Sequence, residues 1–127
     1  MSLFIGYRNG FLREMSIADQ RIDKDYGWFD KGGIKSLFCT NDNVFLFVGG
    51  SNGQLLQIEM LNRKLVKDYG TVLDSSIFAM AGTDCYNTLW LVDETGNMKV
   101  LEIRAEKWLS SFTVSDKAVY CICTINK

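Results

Sequence analysis

The chain has 127 residues, with 14 lysines and arginines against 15 aspartates and glutamates, and it contains neither histidine nor proline. At this length one domain is the default, and 47% apolar with 23% charged residues favours a packed core over disorder. A formal net charge of -1 offers no basic field to a phosphate backbone, so no nucleic-acid partner is expected. Without histidine the chain lacks the commonest general base and the commonest zinc ligand, so we expect no enzyme, no cofactor and no metal site.

Short β-strands separated by polar turns are predicted in chain order. They fall at residues 3–6, 34–40, 44–48, 54–60 and 64–69, each rich in β-branched, aromatic or leucine residues. Two connections carry an asparagine-glycine pair, Asn9-Gly10 and Asn52-Gly53, and Thr95-Gly96 is a weaker third version. Such a pair tolerates positive φ and predicts a two-residue hairpin. Apolar residues on both faces of residues 54–60 predict a sheet packed between two neighbouring sheets.

One internal repeat organises the chain, because the sequence matches itself at an offset of 43 residues without a gap. Between residues 3–40 and 46–83, twelve of 38 positions are identical. Residues 24–27 and 67–70 are both Lys-Asp-Tyr-Gly, and Phe112 takes the tyrosine position in the third copy. The chain is therefore predicted to be all-β, with three repeats of four antiparallel strands.

A period of this length with four strands per unit is typical of a β-propeller. From the innermost to the third strand, residues 34–60 resemble a WD40 repeat in spacing. The Trp-Asp pair of that family would fall on Ile58-Glu59, and the Gly-His pair is absent because the chain has no histidine. The resemblance is to a WD40-like family with eroded signatures, and it implies blades arranged around a central channel.

The repeats divide the chain into a partial blade at about 1–33, full blades at 34–76 and 77–117, and a closing strand at 118–127. Propellers usually have about four to eight blades, so three blades leave a ring open. We predict that two copies join head to tail in a six-bladed homodimer, or that the chain is part of a longer propeller. The residues predicted to pair across that closure are Leu3, Phe4, Ile5, Val119, Tyr120, Cys121, Ile122 and Cys123.

The four cysteines have no CxxC spacing, and the N-terminus does not resemble a secretory leader. We therefore predict reduced, half-buried thiols in an intracellular, cytoplasmic protein, with a nuclear location left open. Cys121 and Cys123 could join Cys85 around a soft metal, but without histidine or the usual spacing no metal is expected. No segment approaches eighteen consecutive apolar residues, so no membrane span is predicted.

The loops at one mouth of the ring are the predicted binding surface. They carry six candidate partner-binding residues: Arg8, Asn9, Trp28, Phe29, Asn52 and Thr95. Adjacent aromatics such as Trp28-Phe29 suit a binding anchor, although packing between blades is the favoured account of them. Gly49–Gly53 lacks the spacing of a phosphate loop and is assigned to a hairpin turn.

These features predict a non-enzymatic, WD40-like scaffold that binds another protein or peptide through loops at one face of the propeller. The alternative is a sensor or divergent enzyme that binds a small ligand in the central channel of the assembled ring. Outward-facing aromatic and amide groups at the mouth would favour the first function, and Asp, Lys and Tyr converging in the channel would favour the second.

Overall fold

The computed structural model describes residues 1–28, 32–83 and 87–125. Within these ranges the chain forms β-strands and no helix, which confirms the all-β prediction. The strands are β1 (Ser2–Gly6), β2 (Phe11–Ser16), β3 (Arg21–Trp28), β4 (Ile34–Cys39), β5 (Phe45–Gly50), β6 (Gln54–Glu59), β7 (Lys64–Thr71), β8 (Ile77–Thr83), β9 (Thr88–Asp93), β10 (Asn97–Glu102) and β11 (Lys107–Thr113).

The strands form three antiparallel sheets, in which strands adjacent in sequence are also adjacent in space. Blade 1 is β1-β2-β3, blade 2 is β4-β5-β6-β7, and blade 3 is β8-β9-β10-β11. The innermost strands β4 and β8 lie against each other, as neighbouring blades of a propeller require. Among the described residues blade 1 has three strands, so one edge of β1 has no hydrogen-bonded strand where β4 and β8 stand in the other blades.

The hairpins between the second and third strands differ from the predicted two-residue turns. Gly50 and Gly53 close a turn in which the Gly53 N–H donates to the Gly50 carbonyl at 3.2 Å. Gly53 has a φ of 83°, whereas Asn52 is not among the residues with positive φ. The connection is therefore a three-residue loop that ends on a left-handed glycine, and the prediction of two residues was wrong.

The turns between the third and fourth strands repeat one unusual backbone conformation. Gln20, Arg63 and Glu106 lie 43 residues apart and have φ values of 53°, 56° and 52°. Left-handed conformations are uncommon for residues other than glycine, so this conformation is a property of the repeat. It places a long polar side chain at the same corner of every blade.

The outer strands of blades 2 and 3 differ in register at the position of Phe112, which the sequence aligned with Tyr69. In blade 2, Gly70 pairs with Leu55 across a bulge that skips Tyr69. In blade 3 the position equivalent to Leu55 is Met98, and it pairs with Phe112. Phe112 therefore occupies the register of Gly70 rather than that of the tyrosine, because this end of β11 lacks the bulge.

Two apolar clusters hold the blades together. The first joint, between blades 1 and 2, buries Leu12 of blade 1 against Leu46, Val48 and Ile58 of blade 2. The second joint, between blades 2 and 3, is built from equivalent positions 43 residues further on. It includes Phe47, Leu55, Leu89, Leu91, Leu101 and Ile103. These six side chains are at most 3% exposed, and each buried apolar side chain of this size contributes about 1.5–3 kcal/mol.

Residues 114–125 contain no strand in the single chain. The predicted closing strand at 118–127 concerns pairing with another chain, so it stays a prediction, and its residues 126–127 lie outside the described residues. Among the described cysteines, Cys39, Cys121 and Cys123 are free thiols. All three are exposed, which corrects the expectation that they are half-buried.

Candidate interaction surfaces: the mouth and the open blade faces

At one end of the sheets, the second-to-third-strand hairpins meet the loops that lead from each blade to the next. In blade 2 the Val72 N–H donates to the Gly53 carbonyl at 2.9 Å. The Ser76 hydroxyl donates to the Ser51 carbonyl at 2.7 Å, and the Gly33 N–H donates to Ser51 Oγ at 2.9 Å. We call this end of the molecule the mouth, and its backbone is fixed by these bonds.

Blade 3 repeats this arrangement with different side chains. The Val114 N–H donates to the Gly96 carbonyl at 2.9 Å. Asp93 is fully buried, and its Oδ1 accepts from the backbone N–H groups of Thr95 at 3.0 Å and Asn97 at 2.9 Å. The hydroxyl of Thr95 also donates to that oxygen, at 2.8 Å. The buried side chain of Asp93 therefore fixes this hairpin, whereas an asparagine side chain accepts the turn hydrogen bond in the hairpins of blades 1 and 2.

The structure places four of the six predicted binding residues together at the mouth. Arg8, Asn9, Asn52 and Thr95 are all exposed there. The amide oxygens of the two asparagines accept from the backbone N–H two residues on, at 3.2 and 3.1 Å, so those oxygens shape the turns. A cavity of about 430 Å³ opens beside Tyr7, Arg8 and Asn9.

The aromatic pair is only partly placed. Trp28 ends β3 opposite Phe11, but its side chain lies outside the described part of the molecule. Phe29 also lies outside the described residues, as does Cys85. The proposed roles of Trp28 and Phe29 in binding therefore stay predictions.

Blade 1 has one apolar face that points away from blade 2, and it is the first of two open apolar faces of the molecule. Its residues are Leu3, Ile5, Met15 and Ile17. They are equivalent to Leu46, Val48, Ile58 and Met60 of blade 2, and to Leu89, Leu91, Leu101 and Ile103 of blade 3. The eight equivalents are at most 7% exposed because each set packs on the blade before it, whereas Leu3 is 48% and Ile17 39% exposed.

The face of blade 3 that points away from blade 2 is the second open apolar face. Trp90 and Met98 stand where Phe47 and Leu55 are fully buried in blade 2, and both are half-buried here. Trp90 donates its indole N–H to Thr83 Oγ1 at 2.8 Å and meets the ring of Phe112 edge-on at 6.5 Å. Both ends of the three-blade unit therefore carry the apolar side chains that form a joint elsewhere.

Across the first joint, one ion pair links the two blades. Arg63, at the left-handed turn position of blade 2, binds both carboxylate oxygens of Glu14 in blade 1 at 3.0 Å each. The Tyr26 hydroxyl donates to the same carboxylate, and the guanidinium lies 5.7 Å from the ring centre of Phe4. A bidentate ion pair of this kind fixes the relative orientation of the two side chains as well as contributing energy.

This network shifts the pKa of Glu14, Tyr26 and Arg63, and the hydrogen bond to Glu14 raises the pKa of the Arg63 guanidinium. Glu14 is only 7% exposed, and its hydrogen bond from Arg63 lowers the pKa of its carboxyl to about 2. Burial, and then the hydrogen bond to Glu14, raise the pKa of the Tyr26 hydroxyl to about 12. The carboxylate and the phenol are therefore held in their ordinary neutral-pH states.

The second joint uses the same turn position with the opposite charge, but its ion-pair partner comes from a different position of the repeat. The turn residue is now Glu106, and its carboxylate lies 3.2 Å from the ammonium of Lys67 in blade 2. Gln57 replaces Glu14 and accepts a hydrogen bond from the Tyr69 hydroxyl at 2.8 Å. Burial raises the pKa of Tyr69 to about 12. Each joint therefore has an ion pair between a turn residue and the blade before it.

Beside β1, a cleft of about 610 Å³ separates blade 1 from blade 2. One wall is the start of the chain from Met1 to Phe4, and the other includes Leu37 and Cys39 of β4. The cleft therefore lies along the edge of β1 where blade 1 lacks an innermost strand.

Tyr120, close to the end of the described chain, contacts the innermost strand of blade 3. The Tyr120 ring stacks on the Phe78 ring of β8, with 5.0 Å between ring centres and 27° between planes. The ammonium of Lys35 in β4 also lies over the Phe78 ring, 5.9 Å from its centre. Lys35 and Phe78 occupy equivalent positions of two neighbouring innermost strands, and the next equivalent position is Cys121, which follows Tyr120.

The described residues contain no group of three or more Cys, Asp or Glu side chains arranged to hold a metal ion. Within the same ranges no helix is long and apolar enough to cross a membrane. The Glu14–Arg63 pair was missed by the sequence analysis, because its partners are 49 residues apart and recur in no other repeat.

No model of a known protein family matches the sequence, and no curated protein matches it. Solved structures do match: "Structure of U3-55K" superposes with a TM-score of 0.85 and "Crystal structure of RRP9 WD40 repeats" with 0.86. Each is 12% identical over 96% of this chain, and this chain spans 38% of the length of each. These matches and the three antiparallel sheets define the chain as a WD40-like β-propeller fold.

Proposed function

We propose that this chain is a non-enzymatic scaffold that binds another protein or peptide through the mouth of its propeller. The observation that carries the proposal is the convergence of two sets of loops on one end of the sheets, fixed by backbone hydrogen bonds between them. A backbone held in this way presents its side chains with little ordering cost on binding. WD40-type structural neighbours support the same class of function.

The exposed residues of the mouth suit recognition of a polar or charged segment. Arg8 and Glu94 are exposed on hairpins of blades 1 and 3, while Asn52 is exposed on that of blade 2. Groups of both signs and a neutral amide thus line one rim at fixed separations. Contacts of this kind set partner orientation and specificity more than raw affinity.

Selection of peptides from a random library on the immobilised protein tests this function. Binders should lose about tenfold or more in affinity, roughly 1.4 kcal/mol, when Arg8→Glu or Glu94→Arg changes the mouth. The matched control is Arg104→Glu, an exposed turn residue at the opposite end of the sheets, which should leave affinity unchanged. Equal losses in all three variants, or no loss at the mouth, would contradict the proposal.

We further propose that a second copy of the chain closes the ring, giving a six-bladed homodimer. The two open faces support this, because each carries the apolar set that its repeat equivalents bury. Charge supports it too. Arg63 meets Glu14 and Glu106 meets Lys67, while the third turn residue, Gln20, is neutral. In the closed dimer Gln20 would face the equivalent positions of blade 3, which are Val100 and Ser110 and are also neutral.

A further inference from the structure

We propose that the cleft beside β1 binds residues 119–125 of a second copy as a fourth, innermost strand, in one defined register. The proposal rests on the homodimer proposed above and adds the atoms that hold it together. It concerns the edge of a sheet, so it is independent of what the mouth binds.

The register follows from the two complete blades. In blade 2, Leu37 pairs with Val48 and Cys39 with Leu46. The innermost-strand residues Leu37 and Cys39 are equivalent to Cys123 and Ile125 two repeats later, and Val48 and Leu46 are equivalent to Ile5 and Leu3 one repeat earlier. The same pairing therefore places Cys123 opposite Ile5 and Ile125 opposite Leu3.

Blade 3 leads to the same result. There Met80 pairs with Leu91 and Gly82 with Leu89, and the repeat again carries these pairs to Cys123–Ile5 and Ile125–Leu3. Both innermost strands also skip one residue at the same step, Lys35 in blade 2 and Phe78 in blade 3. The equivalent skipped residue is Cys121, so Tyr120 falls opposite Tyr7.

The receiving edge is β1, which is the edge strand of its sheet. β1 is paired on one side with β2 only, and its other side faces the cleft of about 610 Å³. A strand added there would satisfy the edge of β1 and cover Leu37 of β4. Exposed strand edges are normally protected or paired, and among the described residues no strand of this chain pairs with that edge.

One residue of the donor segment, Tyr120, already contacts the innermost strand of blade 3. Tyr120 stacks on Phe78 of β8, as β8 itself lies beside β4. In the dimer one strand would thus contact blade 3 of its own chain and pair with β1 of the other chain. Its exposed thiol at Cys123 would then face Ile5.

Cross-linking tests the register directly. In a background of Cys39→Ser, Cys85→Ser and Cys121→Ser, the change Ile5→Cys should form a disulfide with Cys123 of the second copy under mild oxidation. Opposed residues in antiparallel strands have Cα atoms about 4.5–5.5 Å apart, within the range for a disulfide. A covalent dimer on a non-reducing gel is expected.

The controls use pairs that the register separates. Leu3→Cys with Cys123 retained is displaced by two residues and should cross-link about tenfold more slowly. Combining Leu3→Cys, Ile125→Cys and Cys123→Ser restores a matched pair and should restore the covalent dimer. The background with Cys123 as its single thiol measures Cys123–Cys123 linkage. Circular dichroism checks that each variant keeps its strands.

Three results would overturn the proposal. A dimer in solution that forms no disulfide at either matched pair would exclude this register. A disulfide within one chain, seen as a faster-migrating monomer, would show that residues 119–125 close their own sheet. A monomer in solution would exclude closure by a second copy. None of these results depends on peptide binding at the mouth, so that function can stand or fail separately.

Discussion

At the scale of single residues, Glu14 shows how one side chain fixes a joint between blades. Its depressed pKa means that it stabilises the fold above about pH 4.5, its ordinary value, and that this contribution is lost as pH falls towards about 2. Glu14→Gln should therefore lower the free energy of unfolding by about 1–3 kcal/mol at pH 7. The difference from the wild type should shrink steadily between about pH 5 and pH 2.

Urea unfolding across this pH range, at one protein concentration, measures the effect. Asp23→Asn serves as the matched control, because it removes an exposed carboxylate from β3 of the same sheet. Its effect should stay within about 0.5 kcal/mol. A Glu14→Gln variant as stable as the wild type at neutral pH would show that the bond to Arg63 contributes nothing net.

At the scale of strands and turns, two glycines with similar positive φ values distinguish the cost of backbone strain from the cost of a steric clash. Gly53 and Gly70 have φ values of 83° and 70°. A Cβ on Gly53 would collide with the Leu73 carbonyl oxygen, whereas one on Gly70 would meet nothing within 4 Å. Gly70→Ala should cost about 1 kcal/mol from backbone strain, and Gly53→Ala about 2–4 kcal/mol. Equal losses in thermal or urea unfolding would show that the contact at the mouth is easily relaxed.

The strand pattern itself could be predicted because the same positions are apolar in successive repeats. Apolar residues on both faces of residues 54–60 predicted a sheet between two neighbouring sheets, and Leu55, Leu56 and Ile58 are all buried. The turns were less predictable, because Asn52-Gly53 suits both a two-residue and a three-residue hairpin. The Glu14–Arg63 pair was beyond prediction, since its geometry depends on how two separate sheets pack.

At the scale of the whole molecule, the two open faces and the edge of β1 lead to the same expectation about mass. Size-exclusion chromatography with light scattering should give a particle of twice the 14.4 kDa of one chain. Leu3→Glu places a carboxylate on the open face of blade 1, where closure would bury it unpaired, so this variant should run at 14.4 kDa with its strands intact. Leu61→Glu is the matched control, because Leu61 is 87% exposed in a turn away from both faces, and it should leave the dimer unchanged. A wild-type chain of 14.4 kDa at every concentration tested would instead assign the open faces to blades of another polypeptide or of a longer chain.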